Sequence, residues 1–460
     1  MTGLACLLLS CATAWADADA KRIPGPDDQG SCTDAACHAA LVKRPVVHGP
    51  AGDGACDSCH ESSDAEKHRF KLTAEGADLC TACHDAPAGK VKHDPVAQGA
   101  CTACHDPHGS AAKHLLTRET VAQVCAECHT DITDGLRYLH GPVAAGACTA
   151  CHNPHAADQP ALLLGPGHEL CLKCHQAIKD RLAGKSHPHA PAVDNCTGCH
   201  KPHGANDKMM LTAAPPALCF SCHDDLAKQV AGATVSHTAV SQGAACANCH
   251  EVHASAFASL LKQDGLTLCL SCHDRSLETP SGKLEDFKKW LADNPEHHGP
   301  VADGNCVGCH REVHGGKHVR LLAGEYPAAF YAPFDEKQYA LCFECHDSDA
   351  FRDEKTTTRT GFRNGDQNLH YLHVNRRDKG RTCRACHQPH ASKQPKLIAD
   401  AVPFGEWKLP VRFQETPTGG SCLAGCHRRY RYDRESPVVN VAPTASQTPE
   451  PTTRPASLNG

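Results

Sequence analysis

The sequence predicts a mostly irregular chain punctuated by short α-helices, with an interior filled by bound groups rather than by its own side chains. Three observations carry this. The 460 residues include 32 Cys and 35 His but only 5% aromatic residues, three Met and three Trp. That is too few large apolar side chains to fill the two or three cores a chain of this length ordinarily holds. Gly at 36 positions and Pro at 31 divide the chain into loops, and no run of alternating polarity marks a strand. Short helices are expected at the Cys-containing segments and at residues 131–140, 176–183, 224–231 and 284–293.

The formal charge of −6 is close to balanced and Lys and Arg read as scattered, which gives nucleic-acid binding little support. Residues 1–18 combine an apolar run from Leu4 to Leu9 with small residues from Ala14 to Ala18. They read as a secretory signal peptide, although no Lys or Arg precedes the run. Leu8-Leu9-Ser10-Cys11 also loosely resembles a lipobox, in which case Cys11 would carry lipid and anchor the chain. A buried helix is the plain alternative. No other segment approaches the roughly 18 apolar residues of a membrane span. Residues 431–460, rich in Pro, Thr and Ser, read as a disordered tail.

Cysteine spacing is the decisive signal. Beyond Cys6 and Cys11, the other cysteines fall into 15 pairs, each followed directly by His. Thirteen have the form C-x-x-C-H: Cys56/Cys59/His60, Cys80/Cys83/His84, Cys101/Cys104/His105, Cys125/Cys128/His129, Cys148/Cys151/His152, Cys171/Cys174/His175, Cys196/Cys199/His200, Cys219/Cys222/His223, Cys246/Cys249/His250, Cys269/Cys272/His273, Cys306/Cys309/His310, Cys342/Cys345/His346 and Cys383/Cys386/His387. Two are stretched: Cys32/Cys37/His38 by two residues and Cys422/Cys426/His427 by one. Two thiols on one short helical turn can form thioethers to the two vinyl groups of a haem, and the next residue then points its imidazole at the iron. Chance placement of His after all 15 pairs has a probability on the order of 10⁻¹⁷.

Three other chemistries use similar spacing. Zinc ribbons need two C-x-x-C pairs per metal and no His after each. Thioredoxin-like motifs occur once in a strand-helix context, and a disulfide scaffold has no use for the recurring His. The reading is therefore about 15 covalent haem c groups, with His38, His60, His84, His105, His129, His152, His175, His200, His223, His250, His273, His310, His346, His387 and His427 as proximal ligands.

Over the motifs lies a longer period that alternates two types. The first is preceded by His and often followed by Pro-His or Val-His, as in His140-Gly-Pro-Val-Ala-Ala-Gly-Ala-Cys148 and Cys151-His152-Asn153-Pro154-His155. The second follows Leu or Val, as at Leu170-Cys171, Leu218-Cys219, Leu268-Cys269 and Leu341-Cys342. Together they form a two-motif unit of about 45 to 50 residues that recurs seven times, with one extra motif at the start. Residues 19–275 hold compact repeats, and residues 276–430 hold repeats lengthened by inserts such as 282–295 and 324–340.

This unit, H-G-P-x5-C-x-x-C-H-x-P-H followed by L-C-x-x-C-H, resembles the doubled CXXCH family of multihaem c-type cytochromes. That family is related to cytochrome c3-like proteins and to the periplasmic decahaem subunits of porin-cytochrome conduits. The resemblance spans roughly residues 30–430 and departs from the pattern at the stretched motifs, at Glu61-Ser62-Ser63, and in the C-terminal inserts. It implies an elongated multihaem cytochrome c whose core is the haem stack, an exported electron-transfer protein of the periplasm or outer membrane and cell surface rather than an enzyme. It also implies redox-protein partners: other cytochromes, an outer-membrane porin or an inner-membrane quinol oxidase. The setting it suggests is anaerobic or extracellular respiration such as metal reduction.

Each iron also needs a sixth ligand or keeps an open face. Twenty His lie outside the motifs, against only Met209 and Met210 beyond the start residue, so ligation by His on both faces is the economical expectation. The distal candidates are the His before each first-type motif (His48, His93, His140, His189, His237, His298, His373), the His after it (His108, His155, His203, His253, His314, His390), and His68 in the first unit. A His three residues beyond its own proximal His cannot reach the opposite haem face, so the second set should serve a neighbouring haem. The fifteenth ligand is expected among His114, His168, His187, His297, His318 and His370. The rival function is a multihaem reductase of a small nitrogen or sulfur oxyanion, which needs an iron with an open face; no C-x-x-C-K occurs.

Overall fold

The computed structural model describes residues 32–33, 38–279 and 282–440. The 1–18 signal segment, Cys37 and residues 441–460 of the expected tail lie outside the described residues. The chain divides into two units. One comprises the chain up to Asp180 with Ala190–Ala214, and the other comprises Arg181–His189 with Pro215 onward. Most of it is irregular, with short helices and two-residue strand pairs. Among the described residues no helix is long and apolar enough to cross a membrane.

Most repeats share one plan. The leading His precedes a one-turn helix that Pro starts, as in Asp94–Ala97 after His93 and Gly141–Ala144 after His140. A glycine then reverses the chain at positive φ, 73° at Gly99 and 70° at Gly146, which only Gly adopts at no cost. Close approach reinforces the choice: a Cβ on Gly99 would stand 2.7 Å from the Ala77 nitrogen, and one on Gly146 2.9 Å from Ala122 Cβ. The first-type motif follows on a 3-10 turn such as Cys101–Ala103. The second-type motif rides an α-helix, such as Val121–Ala126, where Thr120 and Gln123 form a capping box.

Repeats are joined by strand pairing between one repeat's leading segment and the next repeat's post-motif segment. Val46–Val47 pairs with Gly109–Ser110, Val91–Lys92 with Ala156–Ala157, and Tyr138–Leu139 with Gly204–Ala205. In the second unit His187–Pro188 pairs with Ala254–Ser255 and Glu296–His297 with Ala391–Ser392. The partners are small because the backbones close in; Ala156, Ala205, Ala254 and Ala391 are buried. Alanines dominate the buried apolar residues, so side chains alone leave the interior unfilled, as the composition requires.

Several elements differ from the sequence expectation. Residues 131–140 form turns, with Gly135 at φ 67°, because Tyr138–Leu139 is drawn into extended pairing with the next repeat; tertiary pairing overrides a weak local propensity. The helix expected at 284–293 begins only at Phe287, capped by Asp286 accepting from the Lys289 N–H at 2.8 Å, while Gly282–Leu284 forms a hairpin with Leu277–Thr279. Residues 176–183 and 224–231 are helical, within Gln176–Gly184 and as Asp224–Ala231.

The C-terminal region adds a small conventional core. Ala401–Phe404 pairs with Trp407–Pro410, and Phe413–Thr416, Gly419–Cys422 and Tyr430–Asp433 form a three-stranded sheet. Ala399, Val402 and Val411 are buried there against Phe330, Ile398, Leu409 and Phe413. The last strand carries ordered pairing past residue 430, and Asn364 holds Val438 through bonds of 2.8 and 2.9 Å.

Candidate metal centres

The C-x-x-C-H turn places its three functional side chains by backbone bonding alone. The Cys101 carbonyl accepts both the Cys104 N–H at 3.3 Å and the His105 N–H at 3.1 Å, so the two thiols lie one turn apart and the imidazole directly follows. The same double acceptance recurs at Cys148, Cys196, Cys219, Cys246, Cys269 and Cys306. In the first stretched motif the loop is closed by His38 donating to the Cys32 carbonyl at 2.9 Å. The last motif starts from a strand, Gly419–Cys422, and His427 bonds the Ala424 carbonyl at 3.1 Å. None of the 29 described motif cysteines is joined in a disulfide, so every one of these thiols keeps its sulfur for attachment.

The two motif types differ in how far the chain encloses their thiols. The second thiols of the second-type motifs, Cys83, Cys128, Cys174, Cys222, Cys272 and Cys345, are exposed, as is Cys426 of the last motif. Each of the first six stands two residues beyond the end of its short helix, as Cys83 follows Ala77–Thr81 and Cys174 follows Gly167–Leu172, where the chain turns outward. Their first-type counterparts Cys59, Cys104, Cys151, Cys199, Cys249, Cys309 and Cys386 are only half-buried. What covers them is the returning chain: Thr73, Thr117, Leu164, Thr212, Lys262, Ala323 and Ala399 give their N–H to these seven carbonyls in turn, at 2.8 to 2.9 Å.

Opposite eleven of the proximal imidazoles stands a second one. In the first unit His38 faces His68 at a centroid distance of 6.1 Å and 11°, His60 faces His108 at 6.1 Å and 9°, and His84 faces His48 at 5.9 Å and 17°. His105 faces His155, His129 faces His93, His152 faces His203 and His175 faces His140, at 5.9 to 6.1 Å. In the second unit His223 faces His189 at 6.3 Å, and His250–His314, His346–His298 and His310–His390 stand 6.0 to 6.1 Å apart. His273 lies beside His237, His387 beside His370, and His427 beside His373. The spacing is too wide for ring stacking in contact. It matches two metal–nitrogen bonds of about 2 Å and two ring centroids about 1 Å behind their nitrogens. A haem iron fits between them.

The protons are placed accordingly. From the second repeat on, the first-type proximal His gives Nδ1–H to a carbonyl nine or ten residues on: His105 to His114, His152 to Ala161, His200 to Met209, His250 to Ser259, His310 to Arg320 and His387 to Lys396, all at 2.8 to 3.0 Å. Distal rings do likewise, His48 to Pro107, His93 to Pro154, His189 to Val252 and His237 to Val313, at 2.8 to 3.0 Å. With Nδ1 donating, Nε2 keeps its lone pair for a metal. The accepting carbonyls belong to residues at positive φ: His114 60°, Ala161 51°, Met209 58°, Ser259 54°, Arg320 60° and Lys396 58°. Each is followed by a second left-handed residue, as Leu162 at 58° follows Ala161. Non-Gly residues take this conformation at a cost, and no motif in the sequence announced it.

The pairing obeys one rule. The leading His of a repeat serves the second motif of that repeat, as His48 serves His84. The His after a first-type motif serves the first motif of the preceding repeat, as His108 serves His60. The ends break the rule where they must. The first repeat has no complete predecessor, so it lacks the post-motif His; its chain instead makes a hairpin, His60–Asp64 with Arg69–Leu72, and His68 near its tip, at φ 50°, faces His38. The last first-type motif has no successor, and His387 receives His370 from the helix Leu369–Val374 of its own repeat. His370 is thus the ligand that spacing left open among six candidates. Of the others, His297 bonds the Leu291 carbonyl at 3.1 Å and His318 lies 3.8 Å from Glu312 and Glu325. His253 holds the corresponding post-motif position in its repeat, and its carbonyl accepts the His189 N–H at 2.8 Å.

Burial keeps the C-terminal imidazoles neutral, the form a metal requires. Burial, then the nearby His387 and His373, pushes His370 down to about 3; burial, then His310, pushes His390 down to about 4. His387 and His373 are lowered by burial as well.

Successive motifs touch. The first thiols of adjoining motifs are close neighbours at Cys32 and Cys56, Cys80 and Cys101, Cys125 and Cys148, and Cys171 and Cys196 in one unit. Cys269 and Cys306, and Cys342 and Cys383, are so in the other. Between these contacts Cys59 neighbours Cys80, Cys104 neighbours Cys128, Cys151 neighbours Cys171, Cys249 neighbours Cys272, Cys309 neighbours Cys342 and Cys345, and Cys386 neighbours Cys422 and Cys426. From Cys32 to Cys199 in one unit, and from Cys246 to Cys426 in the other, order along the chain is therefore order in space.

A family model described as the doubled CXXCH motif matches residues 48–89, 93–134, 140–180, 189–228, 237–277, 298–351 and 373–404. These seven segments begin at the leading His of the seven repeats, the last ending at residue 404 before Cys422, and together they cover more than half of the chain. No curated protein matches the chain at a significant level.

Proposed function

Because the chain belongs to the doubled CXXCH-motif family of multihaem c-type cytochromes, we propose that it holds fifteen covalent haems with His on both axial faces and conducts electrons between redox partners. When bound, haem supplies a one-electron iron centre. The chain supplies the rest: thiols for attachment, proximal imidazoles with the proton held on Nδ1, and distal imidazoles that close the sixth position. The observation that carries this reading is the succession of opposed imidazoles about 6 Å apart, borne on motifs whose thiols meet in chain order. Closely spaced sites in unbroken sequence suit passage of electrons along the protein.

The physiological reading follows from the family resemblance and the signal-like segment at residues 1–18. The protein is exported to the periplasm or outer surface, takes electrons from another cytochrome or a quinol oxidase, and passes them toward an extracellular acceptor such as a metal oxide, by way of a porin or a further cytochrome. Intact mass, a pyridine haemochrome count and low-temperature EPR on the matured protein test the core of this. A gain of about fifteen haems with low-spin ferric signals alone supports it. Thirteen haems would mean that the stretched motifs stay empty, and a high-spin signal would identify an open iron and favour the oxyanion reductase.

A further inference from the structure

Charge is distributed unevenly along the chain, a feature that the near-balanced total conceals. Residues 371–434 contain 13 Lys and Arg against 5 Asp and Glu, so this stretch carries +8 while the remainder carries −14. Seven of the other proximal histidines are followed directly by Asp or Glu; His427 is followed by Arg428 and Arg429.

Part of this surplus lies beside the last metal site, where His373 neighbours His427 and Arg376. Arg428, Arg429 and Arg431 are exposed on the chain leaving His427. Its counterpart His373 is followed by exposed Arg376, Arg377 and Lys379, and the His373 carbonyl accepts the Arg381 N–H at 2.9 Å. Cations just upstream are neutralised: Arg352 pairs with Glu336 and Asp349, Lys355 with Asp366, and Arg359 with Asp347 and Asp349. Among the described residues no basic side chain of 371–434 forms an ion pair. Unpaired cations around one site attract anions and steer association. An aromatic contact also joins the surface to the ligand. The Tyr430 ring, 39% exposed, stacks on His427 at 4.5 Å and 13°, and the Arg428 guanidinium lies 6.0 Å over that ring.

We propose that the surface formed by Arg376, Arg377, Arg428, Arg429, Tyr430 and Arg431 is the docking site for an acidic redox protein at the last metal centre. The proposal rests on the electron-transfer reading above and names the partner that reading leaves open. An exposed aromatic ring under an arginine guanidinium, on a segment of exposed arginines, has the composition of a protein-binding centre, and the ring's contact with a metal ligand distinguishes this patch from an ordinary solvated basic face.

The test uses the matured full-length protein and, as probe, a plant-type ferredoxin, a strongly acidic one-electron protein. Binding is measured by interferometry at low and high salt, beside vesicles of phosphatidylcholine with and without phosphatidylserine. We expect ferredoxin binding that salt weakens, and that R428E, R429E and R431E together weaken by about tenfold or more, whereas K283E with K288E leaves it unchanged. The milder R428Q, R429Q and R431Q set should weaken it in the same direction, which guards against a folding defect. Equal binding by wild type and both variant sets would overturn the proposal, as would binding to phosphatidylserine vesicles but not to ferredoxin. Haem content by intact mass on the same samples separates the two readings: loss of binding with all haems present bears on docking, and missing haems bear on the reading it rests on.

Discussion

His108 lies three residues beyond His105, yet its ring faces His60 of the preceding repeat, 6.1 Å away and within 9° of parallel. The backbone arranges this: His48 N–H donates to the His108 carbonyl at 3.0 Å, and Val46–Val47 pairs with Gly109–Ser110. One strand pair thus delivers His48 to the second site of its repeat and His108 to the first. His108→Ala should leave the haem count unchanged and convert one centre, that of His60, to high spin, with the His105 centre unaffected. EPR with intact mass on the same sample checks this; a high-spin change at the His105 centre, or none, contradicts the pairing.

His370 closes the last first-type site, so His370→Ala should likewise open one iron. His168→Ala and His187→Ala should give spectra like the wild type. Binding of an added small ligand such as cyanide to one centre in His370→Ala, and to none in the other two, is the measurement.

Thr360 departs from the carbonyl acceptors used elsewhere: its hydroxyl accepts Nδ1–H of His370 at 2.8 Å and the Phe362 N–H at 3.0 Å. Thr360→Val removes the acceptor from a buried imidazole and should cost about 1–3 kcal/mol. A lowered melting temperature and a changed midpoint potential for one haem out of the full set should follow, while Thr360→Ser restores both.

Asp106 follows His105 and holds the turn that aims His108, accepting the His108 N–H at 3.0 Å and pairing with Arg44. Partial burial pushes its carboxyl up, but the bonds from His108, Arg44 and Gly109 outweigh that and hold it below the ordinary carboxylate range. A group so lowered contributes stability that is present above its unfolded value, about 3.9, and lost as pH falls through the folded one. Asn153 fills the same place in the next repeat, accepting the His155 N–H at 3.0 Å without a charge. Asp106→Asn should therefore keep the turn and flatten the loss of thermal stability as pH falls below about 4. A wild-type slope in the variant would count against this role.

The left-handed pairs give a further test. Ala161 sits at φ 51° only so that its carbonyl can meet His152. Ala161→Gly should raise thermal stability by up to about 1 kcal/mol, and Ala161→Val should lower it.

The ligands were legible in the sequence to the extent that chemistry is local. The spacing of Cys101, Cys104 and His105 is complete within one turn, so type and place could be read directly. The length-three offset of His108 excluded its own haem on geometric grounds but could not select which neighbour it serves. That depends on a two-residue strand pair between repeats, too short to leave a polarity pattern. The missing Pro-His after His60 and the extra His370 looked like irregularities. Both follow from the rule once it is known that each first-type site borrows from the next repeat. The signal for the basic C-terminal surface was present in the charge of residues 371–434, concealed by a balanced total. The contrast between exposed Cys83 and half-buried Cys104 had no signal in the motif itself, since it depends on whether a later segment returns over the thiol. The first residues of the left-handed dipeptides had none either, because His114, Ala161, Met209 and Arg320 share no side-chain property; only their carbonyls are used.

The strand pair at each junction also governs how such a chain can be made and remade. A first-type site stays without its distal ligand until the following repeat has emerged and folded back, so closure of these sites follows the order of the chain, with the newest site awaiting its partner. A truncation at any junction would leave a single vacant axial position, at the cut. Whole repeats, by contrast, can be inserted or removed with the donor-acceptor relation intact, provided that both termini keep their own arrangements, the hairpin of His68 at one and the helix of His370 at the other. Growth by duplication is therefore open to this architecture in the interior and closed at its ends.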